Sequence, residues 1–196
     1  MISAFDLEKL KELLRDFYRL TRIRVVLFDS ERREMLAWPE KRPDFCRIIR
    51  SAPAGALACR ACDRDACDAA LKGREAYIYR CHAGLTETIM PLYVGQVPVG
   101  FLLFGHVFAY DGFPAGWETV SRRCAAYGVD MDDLKAACET MPCMDQDYIR
   151  SASHILHATA SFLLMERMAT LRADSAAARL DAWIARHYTE KITAED

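Results

Sequence analysis

The chain carries no excess of charge of either sign: 26 basic residues stand against 28 acidic ones, for a formal net charge of -2 over 196 residues. It therefore lacks the electrostatic footprint of a protein that binds nucleic acid by itself. Long apolar runs are missing as well. The longest, near Val97 to Phe104, falls far short of the roughly 20 residues that a membrane helix needs. The opening residues do not read as a signal peptide, because Asp6, Glu8 and Lys9 interrupt them. A cytoplasmic location with no membrane partner is the expectation. With 52% hydrophobic and 28% charged residues, the composition also excludes disorder. Cysteine is plentiful, at eight residues. In a reducing compartment these are buried thiols, metal ligands or a reactive thiol before they are structural disulfides.

The densest strand signal runs from Tyr77 to Phe108. Tyr77–Tyr79, Thr86–Tyr93 and Val97–Val107 read as three antiparallel strands, with Gly95-Gln96 at a turn that needs positive φ. The last strand is apolar on both faces in its middle, so it is expected to be central and covered. Cys81, His82, Glu87 and His106 fall in this apolar element, and buried polar groups are costly unless partnered. Residues 5–20 predict an amphipathic helix with Leu7, Leu10, Leu14 and Phe17 on one face. Arg24–Phe28 and Arg33–Trp38 predict a hairpin closed by Pro39. Residues 43–73 predict one or two helices, the later from about Leu57 to Leu71. The segment DGFPAG reads as a loop, followed by helices over Trp117–Tyr127 and Met131–Glu139, the second capped by Asp130. From Asp145 to about Leu171 neither Gly nor Pro occurs, and Ile149, Ala152, Leu156, Ala160 and Leu163 form a broad apolar stripe. A helix this long is expected to project or to pair with a partner.

The cysteines admit several readings. Cys59 and Cys62 share a helix face, but Cys67 lies roughly 140° round from Cys62 at about 100° per residue, so one regular helix cannot aim all three at one ion. Zinc on Cys59, Cys62, Cys81 and His82 is one reading; space-filling thiols are another. Cys81 and His82 with Glu87 could form a nucleophile, base and orienter. Nothing near them resembles a nucleophile elbow or a glycine-rich helix start, and no enzymatic activity is expected. Arg60, Arg64 and Arg80 flank the cluster, which leaves thiol redox sensing as a further alternative. His154 and His157 read as solvated or packing residues, and Cys124, Cys138 and Cys143 as core.

Cys46 in FCRII, Cys59, the Cys-His-Ala-Gly-Leu run at Cys81 to Leu85, Glu87, Pro91, Gly100 and Gly105 together resemble the PocR sensory domain family over roughly Leu7 to Leu163. The resemblance implies an α+β fold: a PAS-like five-stranded antiparallel sheet flanked by helices, followed by a long C-terminal helix. It also implies a pocket for a small hydrocarbon derivative such as a diol or alcohol, with Cys59, Cys81, His82, Glu87, Phe104 and Cys46 as candidate ligand-binding residues. No cofactor is implied beyond the zinc alternative. The tail RLDAWIARHYTEKITAED has a helical pattern at Leu180, Ile184 and Tyr188 and a capping box at Thr193–Asp196, and resembles the start of an AraC-type helix-turn-helix domain. The expected organisation is a sensory domain over 1–165, a connecting helix or linker over 166–178, and a truncated DNA-binding domain over 179–196. A homodimer is expected through the long helix, with charged substitution of Leu156 and Leu163 dissociating it. DNA would be reached only through the part of the regulator beyond this chain.

Overall fold

β5 (Val97–Val107) is apolar on both faces, and it occupies the position where both are covered. The structure, a computed structural model, describes residues 5–173 and 183. The chain runs α1 (Leu7–Thr21), β1 (Arg24–Asp29), β2 (Glu34–Trp38), α2 (Asp44–Ser51), α3 (Pro53–Gly73), β3 (Tyr77–Arg80), β4 (Thr86–Val94), β5, α4 (Phe113–Cys124), a 3-10 turn (Ala125–Tyr127), α5 (Met131–Glu139) and α6 (Gln146–Ala173). The strands form one five-stranded antiparallel sheet in the order β2-β1-β5-β4-β3. The α+β expectation holds, with β5 at the centre.

Alternation of side chains divides the sheet into two faces. Val25, Leu27, Met90, Leu92, Leu102 and Phe104 face one way, into a core with Leu10, Leu14 and Phe17 of α1 and Ile149, Leu156 and Ala160 of α6. Val26, Ile89, Phe101 and Leu103 face the other way, against Ala66, Cys67 and Ala70 of α3. A third cluster joins Phe45 and Ile49 of α2 to Cys81, Leu85, Val120, Cys124, Leu134 and Cys138.

Local chemistry sets the element ends. Asp6 and Asp130 cap α1 and α5 through their side chains, and the Asp145 carboxylate accepts from the Tyr148 N–H at 2.7 Å at the start of α6. Gly95 turns the β4–β5 hairpin at φ 61°. The expected loop at DGFPAG ends earlier than its composition suggests. α4 begins at Phe113 with Pro114 in its first turn, where the missing N–H has no helical partner to lose.

The apolar stripe of α6 needs reassignment. Ile149, Leu156 and Ala160 lie against this domain's own sheet, and Leu163 is partly buried beside them. The stripe is broad because it lines a core, so Leu156 cannot serve a dimer contact. The residues expected to begin a DNA-binding domain, including Leu180, Ile184, Tyr188 and Thr193–Asp196, lie outside the described residues, while α6 runs unbroken across the expected boundary at 165. Leu156→Ala should cost about 2–5 kcal/mol in urea denaturation, since the side chain is fully buried. A loss below about 1 kcal/mol would contradict this packing.

Candidate functional site

A cavity of about 50 Å³ lies between the α3-side face of the sheet and helices α2 and α3. Arg24, Val26 and Phe28 reach it from β1, Glu87 from β4 and Leu103 from β5, all with the same strand parity. Strict alternation would turn His106 to the opposite face. β5 avoids that with a bulge: Glu87 pairs with Gly105 and Thr86 with Val107, so His106 is an extra, unpaired residue, held at φ 67°. The bulge re-aims the imidazole into the cavity. Gly105 is what lets Glu87 lie across β5, because a Cβ there would sit 2.7 Å from Glu87 Cγ and 2.8 Å from its Cα.

Glu87 and His106 form the polar centre. The Tyr79 hydroxyl donates to Glu87 Oε2 at 2.8 Å, and His106 Nε2 stands 3.7 Å from Oε1, too far for a direct hydrogen bond. His106 is only 9% exposed, and its Nδ1 is buried without a hydrogen-bond partner. Such an orphan is rare enough to point to an absent partner. Burial, reinforced by the charge of Asp63, raises the Glu87 carboxyl to about 8. Burial, with Arg24 adding to it, lowers the His106 imidazole to about 3. Both groups are therefore neutral around pH 7, suited to hydrogen bonding with an uncharged polar group.

Arg24 is 4% exposed and forms one wall; it donates to the carbonyls of Pro39 at 2.9 Å and Glu40 at 3.4 Å and to Glu34 at 3.1 Å. Glu34 also pairs with Arg42. On the far side lies the Cys81–Gly84 turn. It is closed by Gly84 N–H to Cys81 O at 2.9 Å, with Gly84 at φ 101°, and pinned by Arg123 to Cys81 O at 3.0 Å and Tyr110 to Gly84 O at 2.8 Å. The turn lets the adjacent Cys81 and His82 both line the cavity, which an extended strand would forbid. The His82 ring bridges Cys59 Sγ at 3.1 Å and the Tyr127 hydroxyl at 2.7 Å.

Of the residues expected from sequence, Cys46, Cys59, Cys81, His82 and Glu87 all line this one cavity. Phe104 does not. It packs edge-on against Phe17 at 5.2 Å on the opposite face, and Leu103 takes the place at the cavity. Sequence reasoning missed Arg24, Arg50 and Asp63 as lining residues, and singled out His106 as a polar residue in an apolar strand without naming it as ligand-binding. The available signal for Arg24 was parity with Val26 and Phe28.

The thiol alternatives fare differently. Burial raises Cys46, Cys59, Cys62 and Cys81, which works against the thiolate that metals and oxidants require. Among the described residues, no group of three or more His, Cys, Asp and Glu is placed to hold a metal ion. Cys81, His82 and Glu87 do not form the nucleophile, base and orienter arrangement either, because the partners of His82 are Cys59 and Tyr127.

These shifts set the pH response. The raised Glu87 contributes stability that is complete below its ordinary 4.5 and is lost as pH rises through about 8. The lowered His106 contributes above its ordinary 6.5 and loses that contribution as pH falls toward about 3. Thermal unfolding from pH 5 to 9 should show the wild type losing stability relative to Glu87→Gln as pH rises. Parallel curves for the two proteins would refute the buried neutral carboxyl.

Comparison with known proteins agrees with this architecture. A family described as the sensory domain found in PocR matches residues 3–168. Regulatory protein PocR of Salmonella typhimurium (strain LT2) is 35% identical over 105 residues, which cover 54% of this chain and 34% of that protein. The matched part thus spans about a third of the curated relative's length. No solved structure matches the chain. Among the described residues, no helix is long and apolar enough to cross a membrane. With a family match across most of its length, laid over a sheet, a bulge and a cavity that belong to one domain, this chain belongs to the PocR sensory domain family.

Proposed function

We propose that the chain is the ligand-sensing part of a transcription regulator, binding a small hydroxylated hydrocarbon derivative, a short diol or alcohol, and controlling an AraC-type DNA-binding output. The observation that carries this reading is the buried pair of Glu87 and His106, which line one cavity with Oε1 and Nε2 standing 3.7 Å apart and not bonded to each other. One hydroxyl oxygen can lie about 2.8 Å from both His106 Nε2 and Glu87 Oε1, accepting from the first and donating to the second. Phe45, Ile49, Val26 and Leu103 supply the apolar remainder of the lining. At about 10–15 Å³ for each water-sized group, the cavity holds roughly three to five such groups, the scale of a molecule of a few heavy atoms. A ligand of about five heavy atoms gains at most roughly 7 kcal/mol, which corresponds to a dissociation constant no better than about ten micromolar. That range suits an abundant carbon compound.

The signal has a short route out. Glu87 and Pro91 are both on β4, and a ring nitrogen of His157 on α6 is 3.2 Å from the Pro91 carbonyl. The opposite side of α6 exposes Ile155, Phe162 and Met165, at 65%, 64% and 70%. Tyr148, Ile155 and Phe162 recur every seven residues, and Ala158 and Met165 follow Ile155 and Phe162 by three, as on a helix-pairing seam. This outer seam replaces Leu156 and Leu163 as the surface for a homodimer. Moving a two-state balance from 1:99 to 99:1 takes about 5.5 kcal/mol, most of what one such ligand supplies, so two coupled subunits are favoured over one.

A thermal-shift screen of short diols, alcohols and glycols should reveal a stabilising ligand whose effect is lost in His106→Phe and in Glu87→Gln; a ligand whose effect survives both substitutions would place the binding site elsewhere. For the dimer, Ile155→Glu with Phe162→Glu should give a folded monomer by light scattering. A wild type that is already monomeric at micromolar concentration would remove the seam from the proposal.

A further inference from the structure

Three arginines line the cavity, and two of them are occupied. Arg24 is held by Glu34 and two carbonyls, and Arg42 by Glu34. Arg50, in the last turn of α2, is not. It makes no ion pair with a described carboxylate, and the Cys59 thiol lines the same cavity beside it. Arg50 lines the cavity together with Asp63, His82, Glu87 and His106, and its charge acts on all four. Asp63 lines the same cavity without closing onto Arg50. A half-buried guanidinium that borders an apolar floor of Phe45, Ile49 and Leu103 and keeps its donors free of carboxylates is a receptor for a planar anion.

The other end of the cavity has a complementary requirement. Glu87 Oε1 and His106 Nε2, 3.7 Å apart, leave a place for a bridging hydroxyl. With room for only a few water-sized groups between the walls, a molecule that satisfies both ends carries its hydroxyl and its anionic group one or two carbons apart. We propose that Arg50 binds a carboxylate on the ligand, so that short 2- or 3-hydroxy acids bind this cavity more tightly than neutral diols of the same size. This rests on the reading of the cavity as the sensor site. It extends that reading from the hydroxyl, which Glu87 and His106 take, to the group at the opposite end.

The test is titration calorimetry at pH 7 with matched probes: lactate against propane-1,2-diol, glycolate against ethane-1,2-diol, and acetate as the acid without a hydroxyl. Each is measured on the wild type, Arg50→Gln, Arg50→Lys and Glu87→Gln, with the melting temperature of each variant recorded. The hydroxy acid should bind about tenfold or more tightly than its diol, with acetate weaker than either. Arg50→Gln should abolish that preference while leaving diol binding intact, Arg50→Lys should keep part of it, and Glu87→Gln should weaken acid and diol together. Diol binding that depends on Glu87, with no preference for the acid or with a preference that persists in Arg50→Gln, overturns the role of Arg50 and leaves the sensor site standing. No binding by any probe at millimolar concentration overturns both.

Discussion

One extra residue in the central strand shapes the cavity of this domain. β5 must be apolar on both faces to sit between two cores, and a strand of that kind has no regular position for a polar side chain. The bulge at Gly105-His106 supplies one, by placing a histidine at φ 67° and leaving it outside the ladder between β4 and β5. A non-glycine residue in that conformation is uncommon and is held there only by its surroundings. Here they are a glycine with no room for a Cβ on one side and the resumed pairing of Val107 with Thr86 on the other. The place of the imidazole beside Glu87 at the cavity follows from that displacement.

The same constraint separates the work of the two sheet faces. The face toward α1 and α6 is packed with Leu, Val, Met and Phe side chains and carries stability. The face toward α2 and α3 is packed by Val26, Ile89, Phe101 and Leu103 against α3, and opens near Glu87, where Val26 and Leu103 reach the cavity edge. The cavity is thus confined to one end of one face, while β4, which carries Glu87, also contacts α6 through Pro91 and His157. In the proposed sensor, a change at Glu87 has few residues to cross before it reaches α6.

Much of the architecture was legible in the sequence because it rests on periodicity. The meander at Tyr77–Val107, the first hairpin, and the helices at α1, α5 and α6 all follow from alternating or helical apolar spacing, with caps such as Asp130 marking the ends. The site was legible in part. Cys59, Cys81, His82 and Glu87 stood out as polar or sulfur-bearing residues in or beside apolar text, and the structure gathers them around one cavity. Phe104 was misplaced because β5 is apolar on both faces, so its sequence does not say which of Leu103 and Phe104 meets the cavity. Arg24, Arg50 and Asp63 went unread because charged residues usually face solvent; only tertiary packing shows that these three turn inward. Leu156 was misread for a related reason, since a wide apolar stripe on a long helix looks the same whether it faces a sheet or another copy.

The bulge and its imidazole are open to direct observation in solution. Nitrogen-15 NMR of the His106 ring, followed while propane-1,2-diol is titrated into the protein, reports on the orphaned Nδ1 and on Nε2 beside Glu87. The resonances should begin as those of a neutral imidazole and move with added ligand, saturating at the concentration that stabilises the fold against heat. Thermal stabilisation by the ligand with the His106 nitrogens unmoved would contradict the assignment of this cavity as the sensor site.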